Sequence, residues 1–153
     1  MRLTLKTDYA LRTLIYLGRK QGLASIGEVS GFYRISENHL VKVVHELGRK
    51  GFVETLRGKG GGIRLARPAA EIRVGEVVRA MEDDLALAAC FAPQEPERTC
   101  RLTGACGLQG LLHRALAAFM AELDARTLAE LLRPGLKGGA ESLLPPEPPP
   151  TIG

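Results

Sequence analysis

The sequence predicts a mainly α fold with one small β-hairpin, and three observations carry that expectation. Apolar residues recur at three-and-four spacing in several stretches, two short strand-like runs flank a glycine-rich hexapeptide, and a long apolar seam follows the chain's only cysteines. At 153 residues and 45% hydrophobic, the chain suffices for one core with an appended arm. No run approaches the roughly 18 to 20 apolar residues of a membrane span, and Lys6, Asp8 and Arg12 interrupt the N-terminus where a signal peptide would be apolar. The expectation is a soluble, cytoplasmic protein with no membrane partner. In that compartment disulfides rarely persist, and clustered thiols are more often metal-binding or redox-active.

The first helix places Ala10, Leu11, Leu14, Ile15 and Leu17 at helical spacing, with Thr7 as its expected cap and a fade near Gln21-Gly22. Ser25, with Glu28 three residues on, fits a capping box for a short second helix ending near Tyr33. After Arg34-Ile35, Ser36 is the expected cap of a third helix, "ENHLVKVVHELGRK", which Gly51 stops. At 100° per residue, Leu40, Val43, Val44 and Leu47 share one side of it, and Asn38, Lys42, His45 and Arg49 share the other. Two short helices joined by a tight turn, the second with a basic, hydrogen-bonding face, form a helix-turn-helix suited to a major groove.

"FVETL" and "IRLA" read as strands around "RGKGGG", residues 57–62, a hairpin tip carrying Arg57 and Lys59 with Arg64 just beyond. Glycines there let the backbone approach a phosphate or a narrow minor groove, and the cations supply charge that such a groove attracts. A phosphate-binding loop would need Gly-Lys-Ser/Thr leading into a helix, whereas a strand follows here. Val74 to Met81 reads as a further short helix. The seam Leu108, Leu111, Leu112, Ala115, Leu116, Phe119, Met120 and Leu123 spans four turns, and Thr127 caps a last short helix, "LAELLR". The full expectation is a winged helix-turn-helix domain over 1–82, a cysteine-bearing loop over 83–107, and a dimerisation helix with a short terminal helix over 108–133. The remainder, 134–153, reads as a disordered Pro-rich tail.

Charge divides along the same line. Residues 1–80 carry 15 Lys/Arg against 7 Asp/Glu, a net +8, and residues 81–153 carry 6 against 10, a net −4. A basic first half and an acidic second half fit a binder of double-stranded DNA with a separate sensing or assembly region. The candidate DNA contacts are Ser36, Asn38, His39 and Lys42 from the third helix and Arg57, Lys59 and Arg64 from the wing. A homodimer would present two recognition helices to a two-fold operator. An enzyme is not expected: no paired carboxylates, nucleophile elbow or nucleotide loop is visible, and His39, His45 and His113 lack metal-ligand spacing.

All three cysteines, Cys90, Cys100 and Cys106, fall in "CFAPQEPERTCRLTGACGLQ", with intervals of nine and five residues. Zinc knuckles and bacterial ferredoxins favour Cys-x2-Cys, which is missing here. Looser intervals let a loop wrap an iron-sulfur cluster, leaving one iron for a different ligand. Three unrelated thiols, or a reversible disulfide with one cysteine spare, are the other readings.

"LTLKTDYALRTLIYL" at 3–17, "ISENHLVKVVHELGRKGFVETLRGKGGGIRLARP" at 35–68, "IRVGEVVRAME" at 72–82 and the three downstream cysteines together resemble the Rrf-type iron-sulfur winged-helix transcriptional regulators, and within them the branch of nitric-oxide-sensing repressors. The resemblance covers residues 1–133. It implies an iron-sulfur cluster, [2Fe-2S] or [4Fe-4S], one per subunit, on Cys90, Cys100 and Cys106. It also implies a fourth ligand, Asp8, from the first helix of the other subunit, and release of operator DNA when nitric oxide attacks the cluster. A sister branch uses a histidine three residues after the last cysteine, where this chain has Gln109; His113 lies one turn further on. Family members commonly have five residues between the first two cysteines, against nine here. A sensor of iron or cluster status within the same family, or a metal-free thiol regulator, are the alternative functions. Taken on its own, Asp8 reads as a helix-start carboxylate pairing with Arg12 at i+4.

Overall fold

The structure, a computed structural model, describes residues 2–91, 100, 102 and 106–133. In chain order the elements are α1 (Leu5–Lys20), α2 (Ile26–Tyr33), α3 (Glu37–Arg49), β1 (Val53–Leu56), β2 (Gly62–Leu65), a 3-10 turn (Ala69–Glu71), α4 (Val74–Met81), a second 3-10 turn (Ala89–Phe91), α5 (Gly107–Ala125) and α6 (Leu128–Leu131). The mainly helical architecture with a hairpin wing is as the periodicity predicts. The expected tail over 134–153 lies outside the described residues.

α1 runs through the centre of the core. Leu14 and Leu17 share one buried cluster with Leu40 and Leu47 of α3, Phe52, Ile63 of β2, Val77 and Met81 of α4, and Leu128 of α6. Each such side chain contributes about 1.5–3 kcal/mol on leaving water, so the faces found by helical spacing are those that hold the domain together. β1 and β2 pair antiparallel in the register Val53 to Leu65 and Leu56 to Gly62. Behind them Ala24 forms a bridge with Ile63, its N–H donating to the Ile63 carbonyl at 3.0 Å. A Cβ on Gly62 would lie 2.7 Å from the Ala24 carbonyl oxygen, so only glycine lets the base of the wing approach this closely.

Of the expected caps, one is displaced, and two stand where expected with only part of the expected bonding. Thr4, not Thr7, caps α1: its hydroxyl accepts from the Thr7 N–H at 3.3 Å, and Thr7 turns inward to full burial beside it. Ser36 stands at the N-cap of α3, but its side chain makes no capping bond. The expected box at Ser25 is half formed. Ser25 accepts from the Glu28 N–H at 3.0 Å, but the Glu28 carboxylate instead accepts from Tyr16 at 2.6 Å and pairs with Lys20, tying α2 to α1. A complete capping box occurs at Thr127 and Glu130 of α6.

Burial alone would raise the Glu28 pKa, but the donors Lys20, Tyr16 and the Glu28 N–H hold its carboxyl below the usual range. A depressed carboxyl contributes stability that is complete above its unfolded pKa and is lost as pH falls through the folded one. Glu28→Gln is therefore expected to lower the thermal midpoint by about 3 °C at neutral pH, for a loss of about 1 kcal/mol. Thermal melts should show that gap closing as pH falls below about 4.

Candidate nucleic-acid interface and metal-binding loop

α3 presents one side to the core and the other to solvent. Leu40, Val43, Val44 and Leu47 are buried, while Ser36, Asn38, His39, Lys42, His45 and Arg49 are exposed. Because the Ser36 hydroxyl has no helix N–H to serve, it is available to a ligand at the α3 N-terminus. The wing carries Arg57 and Lys59 at its exposed tip, where Gly58 and Gly60 adopt positive φ of 102° and 83° and the Gly61 N–H closes the turn onto the Gly58 carbonyl at 2.9 Å. Lys42, Arg57 and Lys59 have no ion-pair partner among the described residues, so their charge faces outward undiminished. Arg64 differs. It stands directly across the ladder from Glu54 and pairs with it, which ties its guanidinium to the strand rather than to the tip.

The loop is anchored at both ends. Glu82, just past α4, accepts from the Thr4 N–H at 2.8 Å and from its hydroxyl at 3.1 Å. Asp83 accepts from Lys6 at 3.0 Å, and the same ammonium lies 3.6 Å from Glu46 of α3. The bond to Asp83, which outweighs a small desolvation cost, raises the Lys6 pKa, with Glu46 adding to the effect. One lysine thus joins α1, the recognition helix and the start of the loop. None of these three contacts is legible from spacing, since each spans a long sequence separation.

Further along, Cys90 lies in the second 3-10 turn and Cys106 at the N-cap of α5. Phe91 stacks on His113 of α5, centroids 4.2 Å apart at 25°, drawing the Cys90 end of the loop toward the helix that Cys106 opens. Cys100 is exposed; residues 92–99, 101 and 103–105 lie outside the described residues. Cys90 and Cys106 are thiols, not disulfide partners. Asp8, in the first turn of α1, is half-exposed and accepts from Arg12 Nε at 2.9 Å, while the Arg12 guanidinium lies 5.9 Å from the Tyr33 ring centroid. Among the described residues, no group of three or more His, Cys, Asp or Glu gathers as a metal site within one chain.

The donor chemistry nevertheless fits an iron-sulfur cluster. Three cysteines share one segment, two sit at its anchored ends, and Cys106 occupies a helix N-terminus whose dipole favours an anionic ligand.

The sequence pattern of "Rrf2: Iron-dependent Transcriptional regulator" matches residues 3–134. The chain belongs to the Rrf2 family. A relative named HTH-type transcriptional regulator NsrR, from Shouchella clausii, is 49% identical over 134 residues, 86% of this chain and 89% of that one. Among solved structures, T. potens IscR aligns with a TM-score of 0.68 at 22% identity, covering 86% of each chain. CymR, the global cysteine regulator of B. subtilis, aligns at 0.69 with 25% identity, covering 86% of this chain and 96% of that one. This Rrf2 protein is a transcriptional regulator of winged-helix fold and not an enzyme. Among the described residues, no helix is long and apolar enough to cross a membrane.

In the Rrf2 chain, α5 has two halves with different surroundings. Its C-terminal half packs on α4: Met120 is buried, Arg79 donates to Asp124 Oδ1 at 2.5 Å, and Arg73 donates to the Asp124 carbonyl at 2.8 Å. The helices approach so closely that a Cβ on Gly75 would overlap Asp124 Oδ1 and lie 3.0 Å from the Asp124 backbone nitrogen. Gly75→Ala is expected to cost about 1–3 kcal/mol by overpacking, read as a lowered denaturant midpoint. α6 then re-enters the winged-helix core, with the Leu128 N–H donating to the Ile72 carbonyl at 2.8 Å. At the other end, Leu108 and Leu111 remain 62% and 54% exposed, leaving the first turns of the seam uncovered in one chain.

Proposed function

We propose that this regulator is a homodimeric repressor that senses nitric oxide through an iron-sulfur cluster held by Cys90, Cys100 and Cys106 of one subunit and Asp8 of the other. The observation that carries the reading is the pairing of a three-cysteine loop with a half-exposed carboxylate on a DNA-binding domain, in a chain 49% identical to a regulator named NsrR. The uncovered apolar turns of α5 support the dimer, because about 25 cal/mol per Å2 is gained when a second copy covers them.

When bound, the cluster supplies iron open to attack by nitric oxide, most readily where the ligand is a hard carboxylate among soft thiolates. The protein's part is to convert that event into a change at DNA. Asp8 lies on the helix whose Lys6 contacts both Glu46 of α3 and Asp83 of the loop. As a ligand to the cluster of the partner subunit, Asp8 would hold α1, and through it the spacing of the two recognition helices. Without that bond Asp8 would pair with Arg12, as it does in the single chain, and the constraint would be gone. A bond present in one arrangement and absent in the other supplies the differential free energy that any such switch requires.

On the DNA side, Ser36, Asn38, His39 and Lys42 approach the major groove, Asn38 matching adenine with both ends of its amide. Arg57 and Lys59 reach the backbone or minor groove, and Arg64 stiffens the wing through Glu54. Oxygen-free purification with iron and acid-labile sulfide analysis tests the reading: both elements are expected in stoichiometric amounts. Colourless, metal-free protein would contradict it and support thiol exchange among the same cysteines.

A further inference from the structure

We propose that Val41 is a specificity-determining residue that reads the C5-methyl group of a thymine in the operator's major groove. The inference rests on the docking of α3 proposed above. Of the apolar residues of α3, Leu40, Val43, Val44 and Leu47 are at most 5% exposed, whereas Val41 is 46% exposed. Its place on the helix is specific. Asn38, three residues before, and His45, four after, flank it on the polar side, and buried Val44, three after, on the core side, so Val41 stands at the flank of the polar, basic face.

A β-branched residue is a poorer helix former than most, and with nearly half its surface exposed Val41 gains only part of the burial that holds its core neighbours. The same branching is useful in a groove. Valine in a helix is confined almost wholly to one χ1 rotamer, so its two methyls are presented in fixed directions with little further entropy loss on contact. The one apolar feature in the major groove of an A·T pair is the thymine methyl, beside the adenine N6 and N7 that an asparagine reads. With Asn38 and Val41 one turn apart, about 5–6 Å between Cβ atoms, the pair matches an adenine and the thymine methyl of the same or the adjacent base pair. The Lys42 stem is flexible and the His45 ring is polar at both nitrogens, so of these residues Val41 offers the one compact, branched apolar group.

The test uses the full chain, purified without oxygen, and a duplex selected by it from a randomised pool. Each thymine is replaced singly by deoxyuridine, which lacks only the methyl, and affinities are measured for the wild type, Val41→Ser and Asn38→Ala. For the wild type, one thymine per half-site is expected to bind about fourfold more weakly once its methyl is removed, the equivalent of ~0.8 kcal/mol for one methyl-sized group. Val41→Ser, which removes the contact in both half-sites of the dimer, should weaken the thymine duplex by about 16-fold, two methyl-sized contacts of ~0.8 kcal/mol, and bind the thymine and uracil duplexes equally. A Val41→Ser variant that keeps the wild-type discrimination, or a wild type indifferent to every methyl, overturns the assignment. Should Asn38→Ala also retain full operator preference, or no duplex be enriched, the docking of α3 is wrong and the assignment falls with it. Loss of preference in Asn38→Ala, with a Val41→Ser variant that still discriminates thymine from uracil as the wild type does, removes the assignment alone.

Discussion

Cys106→Ala is expected to abolish iron binding while leaving the fold intact. The Cys106 side chain makes no capping bond to α5, so its loss removes a ligand without removing a structural contact of that kind. The variant should melt within a few degrees of the wild type, carry neither iron nor labile sulfide, and bind operator at the weaker level of the cluster-free protein. A coupling free energy of about 1–3 kcal/mol, typical of linked sites, corresponds to a loss of roughly 5- to 150-fold. Asp8→Ala separates cluster retention from signal transmission. Three thiolates still hold iron, but the tie between subunits is gone, so operator affinity should sit near the Cys106→Ala value and no longer respond to nitric oxide. Metal analysis and fluorescence anisotropy on the same anaerobic samples check both variants.

Arg57→Ala combined with Lys59→Ala should produce the largest loss of DNA affinity. Both side chains lie at the exposed wing tip without ion-pair partners among the described residues, so stability should scarcely change. Each phosphate contact adds about 0.9 to the slope of log affinity against log salt, and a dimer would lose four. The slope is then expected to become shallower by about 3.6, with affinity at 0.1 M salt falling on the order of 10^3-fold. Arg64→Ala should do much less at the DNA, since Glu54 already holds that guanidinium. A salt series for the three proteins checks the order of effects.

Much of the fold is visible in the sequence because its signals are local. The apolar spacing of α3 separates its buried and exposed sides correctly, "RGKGGG" marks a hairpin tip, and Val74 to Met81 is bounded as the structure has it. Errors arise where two residues offer the same local chemistry. Thr4 and Thr7 are three residues apart and both can cap, and only the inward turn of Thr7 decides between them. Glu28 has the spacing of a capping-box acid, but Tyr16 and Lys20 from another helix outcompete the backbone for it. Contacts between distant segments leave no such trace. Lys6 with Glu46 and Asp83, Thr4 with Glu82, and the return of Leu128 to Ile72 depend on tertiary placement alone.

The site is legible to a lesser degree. Three cysteines in one polar segment point to shared chemistry, but a carboxylate four residues before an arginine looks the same whether it pairs locally or serves another chain. In a single chain Asp8 does pair with Arg12. Its proposed second use therefore needs the dimer, and no spacing within one sequence contains that information.

The central claim is that cluster chemistry is coupled to operator occupancy through Asp8. Its most direct test is operator affinity measured on one anaerobic preparation before and after stepwise addition of nitric oxide. The account predicts a fall of about 5- to 150-fold that tracks loss of the cluster absorbance. Affinity that stays constant while the absorbance disappears would contradict it.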